Sequence, residues 1–193
     1  MIGNLLLTIS PILSSVFLHN IEVEILRELN LNRFTDLDGF FQFISNSISF
    51  ITWGTTILLL ILGVVMKGSQ LKKRAILLLS SLTLASLISL ALKFTIDRPR
   101  PFHTYDFIEK LSAGGSPSFP SGHTTEAFAF AVALCFAFPR WYIIIPSLIW
   151  ASAVGYTRMS LGVHYPSDVM AGAILGIATA YFCTRAFRYF KMI

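Results

Sequence analysis

With 193 residues, 54% of them hydrophobic and only 13% charged, the chain has the length of one domain and is too apolar for an ordinary soluble one, in which about a quarter of residues carry charge. Its net charge of +5 does not mark a nucleic-acid binder. The cations flank connections instead, with Lys67, Lys72, Lys73 and Arg74 around one and Arg185, Arg188 and Lys191 at the C-terminus, and neither group holds an acidic residue, which is the Lys/Arg bias of cytoplasmic loops in membrane proteins.

The first predicted helix, 2–19, is short and interrupted by Pro11. It lacks the positive region and small-residue cleavage site of a secretory signal, so Leu5–Phe17 is expected to be retained. Residues 21–44 differ in kind. Leu37, Phe40, Phe41 and Ile44 recur at i, i+3, i+4 and i+7 with Asp36, Asp38 and Gln42 between them, predicting an amphipathic helix that lies at the membrane interface or against the bundle. Apolar helices follow at 46–66, 74–96, 121–138, 141–158 and 166–187; runs such as Ile57–Val65 and Ala75–Leu92 approach the length that crosses a hydrocarbon core. Cys135 and Cys183 lie inside apolar stretches and read as packing residues. The predicted fold is all-α, a polytopic transmembrane bundle of about six spans in a single domain over 1–193, with its catalytic core over 74–187.

Charge gives the topology. If the Lys67–Arg74 connection is cytoplasmic, the next one, with Arg100 and Pro120-Ser121-Gly122-His123, lies outside; Arg140 returns inside; Arg158 and His164 lie outside; and the basic C-terminus is inside again. Three polar blocks thus meet at one face of the membrane. Lys93, Arg98 and Arg100 fall within eight residues on the face where the positive-inside bias would not put them, with Pro99 and Pro101 keeping the segment extended. A guanidinium fork and a lysine point charge both suit phosphate oxygens. Ser121, Gly122 and His123 open the fourth apolar helix, whose free N–H groups favour an anion and whose glycine permits close approach. His164 and Asp168, four apart near Pro166, are predicted to share a helical face so that the carboxylate fixes the imidazole tautomer, and Arg158 adds a cation to the same connection. Such an assembly of cations, two imidazoles and one carboxylate is suited to holding and cleaving a phosphate ester. Glu126, three residues past His123, is expected to hydrogen-bond His123 or Thr124 and keep that imidazole protonated, or else to pair with another helix.

Lys93-x6-Arg100-Pro101, Pro120-Ser121-Gly122-His123 and Thr157-Arg158-x5-His164-x3-Asp168 resemble the three-part signature of the type 2 phosphatidic acid phosphatase superfamily, membrane lipid phosphatases related by fold to vanadium haloperoxidases. Thr157 stands where that family usually has serine. The resemblance implies that His164, held by Asp168, attacks phosphorus to form a phosphohistidine, and that protonated His123 gives a proton to the leaving group and then assists water. It implies that Lys93, Arg100, Arg158, Ser121 and the Gly122 amide neutralise the transferring group, with Arg98 and Thr157 as auxiliaries. No Cys/His or carboxylate cluster has ligand spacing, so neither metal nor other cofactor is expected. The expected substrate is a membrane lipid phosphate such as undecaprenyl pyrophosphate, phosphatidylglycerophosphate, phosphatidic acid or a lipid A phosphate, met at the outer face of a bacterial inner membrane. A transporter would require a polar face running through a helix, and only Glu126 lies clearly within an apolar span. A catalytically silent lipid-binding relative would be expected to have lost a histidine or Arg158, and all are present.

Overall fold

The structure, a computed structural model, describes the backbone of residues 2–191 and the side chains of residues 17–191. Eight α-helices make up the bundle: α1 (Ile2–Leu31), α2 (Asp38–Ser49), α3 (Thr55–Val65), α4 (Ser69–Ile96), α5 (Pro101–Thr104), α6 (Gly122–Ala137), α7 (Trp141–Ser160) and α8 (Pro166–Tyr189). A 3-10 turn precedes α2, and the π-turn Phe50–Gly54 joins α2 to α3 without a break, so these behave as one long rod. The described residues contain no strand.

Two features differ from the sequence expectation. The first helix runs on to Leu31 rather than ending near residue 19, because Glu22–Leu29 is built of strong helix formers and Leu26 finds complete burial. Pro11, read as an interruption, lies among the side chains outside the description. The amphipathic stretch 21–44 is accordingly divided between the end of α1 and the start of the α2–α3 rod. On that rod Phe41 meets Tyr156 of α7 edge-on and Ile48 is buried, while Phe40 and Phe43 stay exposed.

Helix α6 is the axis around which α4, α7 and α8 pack. Its buried face is alanine (Ala127, Ala129, Ala131, Ala133, Ala137), which lets neighbouring backbones approach closely. Helix α8 answers with Gly172 and Gly176; a Cβ at Gly176 would lie 2.5 Å from the Thr125 carbonyl oxygen, and one at Gly172 would lie 2.7 Å from that of Ser121. Gly176→Val should therefore force the two helices apart and cost about 3 kcal/mol or more. A lower Tm in detergent checks this against Gly39→Ala, where an added methyl meets open space; equal melting of the two variants would contradict the close-packing account.

The outside of the bundle is apolar: Leu58, Leu87, Ile149, Ile174 and Phe182 are all more than half exposed. Thr35–Val65, Ser69–Thr104 and Pro166–Tyr189 are each long and apolar enough to cross a bilayer. This is an integral membrane protein. Arg74 lies over Phe138 and Arg188 over Phe136, gathering the basic connection and the C-terminal cations at one end. The three polar blocks gather at the other.

Candidate active site

Each block is delivered by a helix end. Lys93 occupies the last turn of α4, which Asp97 terminates with a left-handed φ of 47°. Arg98–Arg100 then runs extended between its prolines, and Arg100 caps α5. Gly122 and His123 form the first turn of α6, and Arg158 the last turn of α7. The return from α7 to α8 turns on Gly162 (φ 73°), where a Cβ would lie 2.2 Å from the Glu109 carbonyl oxygen and where any L side chain is strained. That turn sets His164 just ahead of α8.

The result is a cavity of about 240 Å³ lined by Lys93, Arg100, Gly122, His123, Arg158 and His164 together with the loop Ala113–Ser116. Lys93 Nζ donates to the Pro117 carbonyl at 2.7 Å. Arg100 Nε donates to the Ser116 carbonyl at 2.7 Å and Nη1 to that of Val163 at 3.0 Å, leaving Nη1 3.4 Å from His164 Nε2. Arg158 is almost completely buried; it donates to the Ser45 hydroxyl, to Ser112 Oγ at 3.1 Å and to the Ala113 carbonyl at 3.3 Å, and its Nε has no partner among the described residues. Three fixed cations converging on one small space create a strong anion site.

His164 and Asp168 do meet, but not by sharing a helical face. His164 precedes the N-cap Tyr165, and Asp168 is the third residue of α8, where its Oδ2 accepts the Tyr165 N–H at 2.9 Å. That capping geometry turns the carboxylate back toward the imidazole, with Oδ2 3.5 Å from Nδ1. Ser118 sits between them, donating to Oδ2 at 2.5 Å and lying 3.4 Å from Nδ1. Burial pulls the His164 imidazole down to about 4; the bond to Asp168 opposes this and the Arg100 and Arg158 charges reinforce it. A ring with this pKa is neutral at ordinary pH, with Nδ1–H directed at the carboxylate and Nε2 on the cavity side, 3.4 Å from Arg100 Nη1. In an NMR titration of histidine-labelled protein, the signal missing from His164→Ala should titrate near pH 4 and not near the unperturbed 6.5; a midpoint above 6 would refute the buried, cation-flanked description.

Four expected residues are placed elsewhere. Arg98 does not line the cavity. It pairs with Asp168 Oδ1 at 2.7 Å and Glu22 Oε1 at 2.5 Å, and lies 3.9 Å over the Tyr165 ring. The Thr157 hydroxyl donates to the Val154 carbonyl of its own helix at 2.8 Å. Ser121 is buried behind the cavity, its Oγ accepting from Thr124 at 2.9 Å and its N–H donating to the Asp168 carbonyl at 3.0 Å, so it ties α6 to α8. Glu126 bonds to neither His123 nor Thr124; it faces Ser86 of α4, whose hydroxyl is 3.4 Å away. The aromatic residues Phe102, Tyr105 and Tyr165 pack with Leu26 and Val23 of α1.

Sequence reasoning missed the supports. Glu22, besides holding Arg98, accepts a hydrogen bond from Ser167. Asn30 at the end of α1 is fully buried, donating to the Ser160 and Glu109 carbonyls at 2.9 and 3.0 Å and accepting the Glu109 N–H at 2.8 Å. Both stand in a stretch whose pattern speaks only of an amphipathic helix. Ser118 and Ser112 are loop serines indistinguishable in sequence from their neighbours.

Comparison with known proteins identifies the family and the overall fold. A family model described as the PAP2 superfamily matches residues 74–192. A lipid A 1-phosphatase of Rhizobium etli is 37% identical over 125 residues, 60% of this chain and 53% of the relative. An undecaprenyl-diphosphatase of Sulfolobus acidocaldarius is 32% identical over 156 residues, covering 80% and 72%. The chain spans about half the length of the rhizobial lipid A phosphatases that it matches. Among solved structures, Aquifex aeolicus LpxE superposes with a TM-score of 0.71 at 28% identity, covering 84% of this chain and 93% of that one. A PAP2-type phosphatidylglycerolphosphate phosphatase from Bacillus subtilis gives 0.72 at 26% identity, covering 89% and 86%.

Proposed function

Because the chain belongs to the PAP2 superfamily, we propose that it is a membrane phosphatase that hydrolyses a lipid phosphate monoester or pyrophosphate through a phosphohistidine on His164. The observation that carries this reading is the cavity itself: an imidazole held by Asp168, three cations and a second imidazole around a space of phosphate size. The named activities of its relatives, on lipid A phosphates and undecaprenyl diphosphate, share one requirement, a phosphoryl group on an amphiphile.

The substrate phosphate binds with its oxygens on Lys93, Arg100, Arg158 and the Gly122 amide. His164 Nε2 attacks phosphorus, the N–P bond forming as the bond to the leaving oxygen breaks, and His123 supplies that oxygen's proton. Asp168 stabilises the charge that grows on the ring. Water then attacks phosphorus while His123 takes its proton, the N–P bond breaks, and inorganic phosphate and neutral His164 result. The cations act throughout on the charge of the transferring group. The site opens at the end of the bundle opposite Lys67–Arg74, Arg140 and the C-terminal cations, which by the charge rule is the extracytoplasmic face of a bacterial inner membrane.

Phosphate release by the purified protein from a lipid A phosphate, undecaprenyl diphosphate, phosphatidylglycerophosphate and phosphatidic acid, with chelator present, tests the reading. Release from at least one supports it, and silence on all of them rejects it.

A further inference from the structure

Beside the phosphate cavity lies a second one, also of about 240 Å³, lined by Ser86, Ser89, Leu90, Lys93, Gly122 and Glu126. The two share Lys93 and Gly122, so they are adjoining compartments divided by the end of α4 and the first turn of α6. Two observations separate this compartment from ordinary helix packing. The Ser89 hydroxyl is buried and has no hydrogen-bond partner among the described residues. Ser81 and Thr95 on the same helix instead donate back to the carbonyls four residues earlier, at 2.8 Å each. The other observation is Glu126, a carboxyl one turn inside an apolar helix. Its hydrogen bond from Ser86, at 3.4 Å, leaves acceptor capacity unused. An ionisable group at that position is costly and marks function more often than packing.

We propose that this compartment is a headgroup subsite, in which Glu126 and Ser89 hydrogen-bond a hydroxyl or amide N–H carried by the lipid one or two carbons beyond the scissile phosphate. The proposal rests on the phosphatase reading and deepens it by naming the substrate class. Glu126 is one helical turn past Gly122, and Ser89 one turn before Lys93, each about 6 Å along its helix axis from a residue that also lines the phosphate cavity. That is the reach of a glycerol hydroxyl or an amino-sugar substituent when the phosphate is seated. Glu126 accepts, and Ser89 donates or accepts, so the pair suits a neutral polar group. An isoprenoid diphosphate places a second phosphate there, which can accept from Ser89 but brings further negative charge against the Glu126 carboxyl in place of a neutral donor, a mismatch that separates substrates when the site is built to hydrogen-bond. The preferred substrate is therefore a glycerol- or sugar-based lipid phosphate rather than an isoprenoid one.

Two lipids of equal chain length isolate the effect: lysophosphatidate with its free hydroxyl next to the phosphate-bearing carbon, and the same molecule lacking that hydroxyl. Both kcat/KM and the Tm shift that each lipid gives to detergent-purified protein should be measured. The wild type should favour the hydroxylated lipid about tenfold or more. Glu126→Ala and, independently, Ser89→Ala should remove most of that preference, the loss falling mainly on the hydroxylated lipid, and Glu126→Gln should retain part of it. Equal treatment of the two lipids by the wild type, or equal losses on both in either variant, overturns the subsite while leaving the phosphatase reading intact. If no lipid is hydrolysed, that reading fails alone, because the Tm shifts still decide whether Glu126 and Ser89 recognise the hydroxyl.

Discussion

His164→Ala should lose phosphate release by about 10⁴-fold or more, since it removes the atom to which the proposed mechanism transfers phosphorus. Nothing nearby can replace that atom. The Ser118 hydroxyl is within reach of Nδ1, on the carboxylate side of the ring, and already donates to Asp168. His123 shares the cavity, but in the proposed mechanism it is needed for proton transfer. The decisive signature is chemical. Wild-type protein given a labelled lipid phosphate and quenched should yield a phosphoenzyme stable to alkali and labile to acid, and His164→Ala should yield none. His123→Ala should behave differently: with a substrate whose leaving group needs no proton it should still form the phosphoenzyme and should accumulate it, because the second step lacks its base. A His164→Ala protein that kept a tenth of wild-type turnover would rule out the assigned nucleophile.

The parts of the molecule legible in sequence were those encoded along one helix or at its end. Apolar runs and basic connections gave six helical passes, and alternation alone brought Lys93, Arg100, His123, Arg158 and His164 to one end, where they do line a common cavity. What could not be read was the rotation of each helix about its axis. That rotation depends on the close seating of α8 on α6 at Gly172 and Gly176, a property of two helices together. It turns Glu126 toward Ser86 and away from His123, although spacing along α6 permits either. The Thr157 hydroxyl is turned to its own backbone by its side-chain rotamer, which spacing does not reveal either. The position of Arg98 beside Asp168 and outside the cavity is illegible in sequence for a related reason. Its counter-ion Glu22 lies on α1, far away in sequence, and no periodicity links the two.

Glu22 carries the other large prediction, since through it α1, outside the residues matched to the family, reaches His164, the proposed nucleophile. Glu22 Oε1 grips Arg98 Nη2 at 2.5 Å, Arg98 Nη1 grips Asp168 Oδ1 at 2.7 Å, and Asp168 Oδ2 faces His164 Nδ1. Ser167, next to Asp168, donates to the other Glu22 oxygen, so helix and carboxylate are held from the same point. Without Glu22 the Arg98 guanidinium keeps, among the described residues, Asp168 and Ser167 as polar partners and is free to drag the carboxylate off the imidazole. Displacements of about 1 Å in such a site cost on the order of 10²-fold. Asp168 retains Ser118 and the Tyr165 N–H, so the loss stays well short of that for His164→Ala. Glu22→Ala should lower kcat about 10- to 100-fold. KM should change little, because Glu22 does not line the phosphate cavity. Glu22→Gln keeps the length and most of the hydrogen bonds and should recover much of the rate. A purely structural role predicts a different pattern, with lower Tm and less active protein but normal turnover per active site. The double variant separates the two accounts: in an Asp168→Asn background, where the link to the ring is already weakened, Glu22→Ala should add almost nothing. Full additivity there would show that α1 steadies the bundle without steering the imidazole.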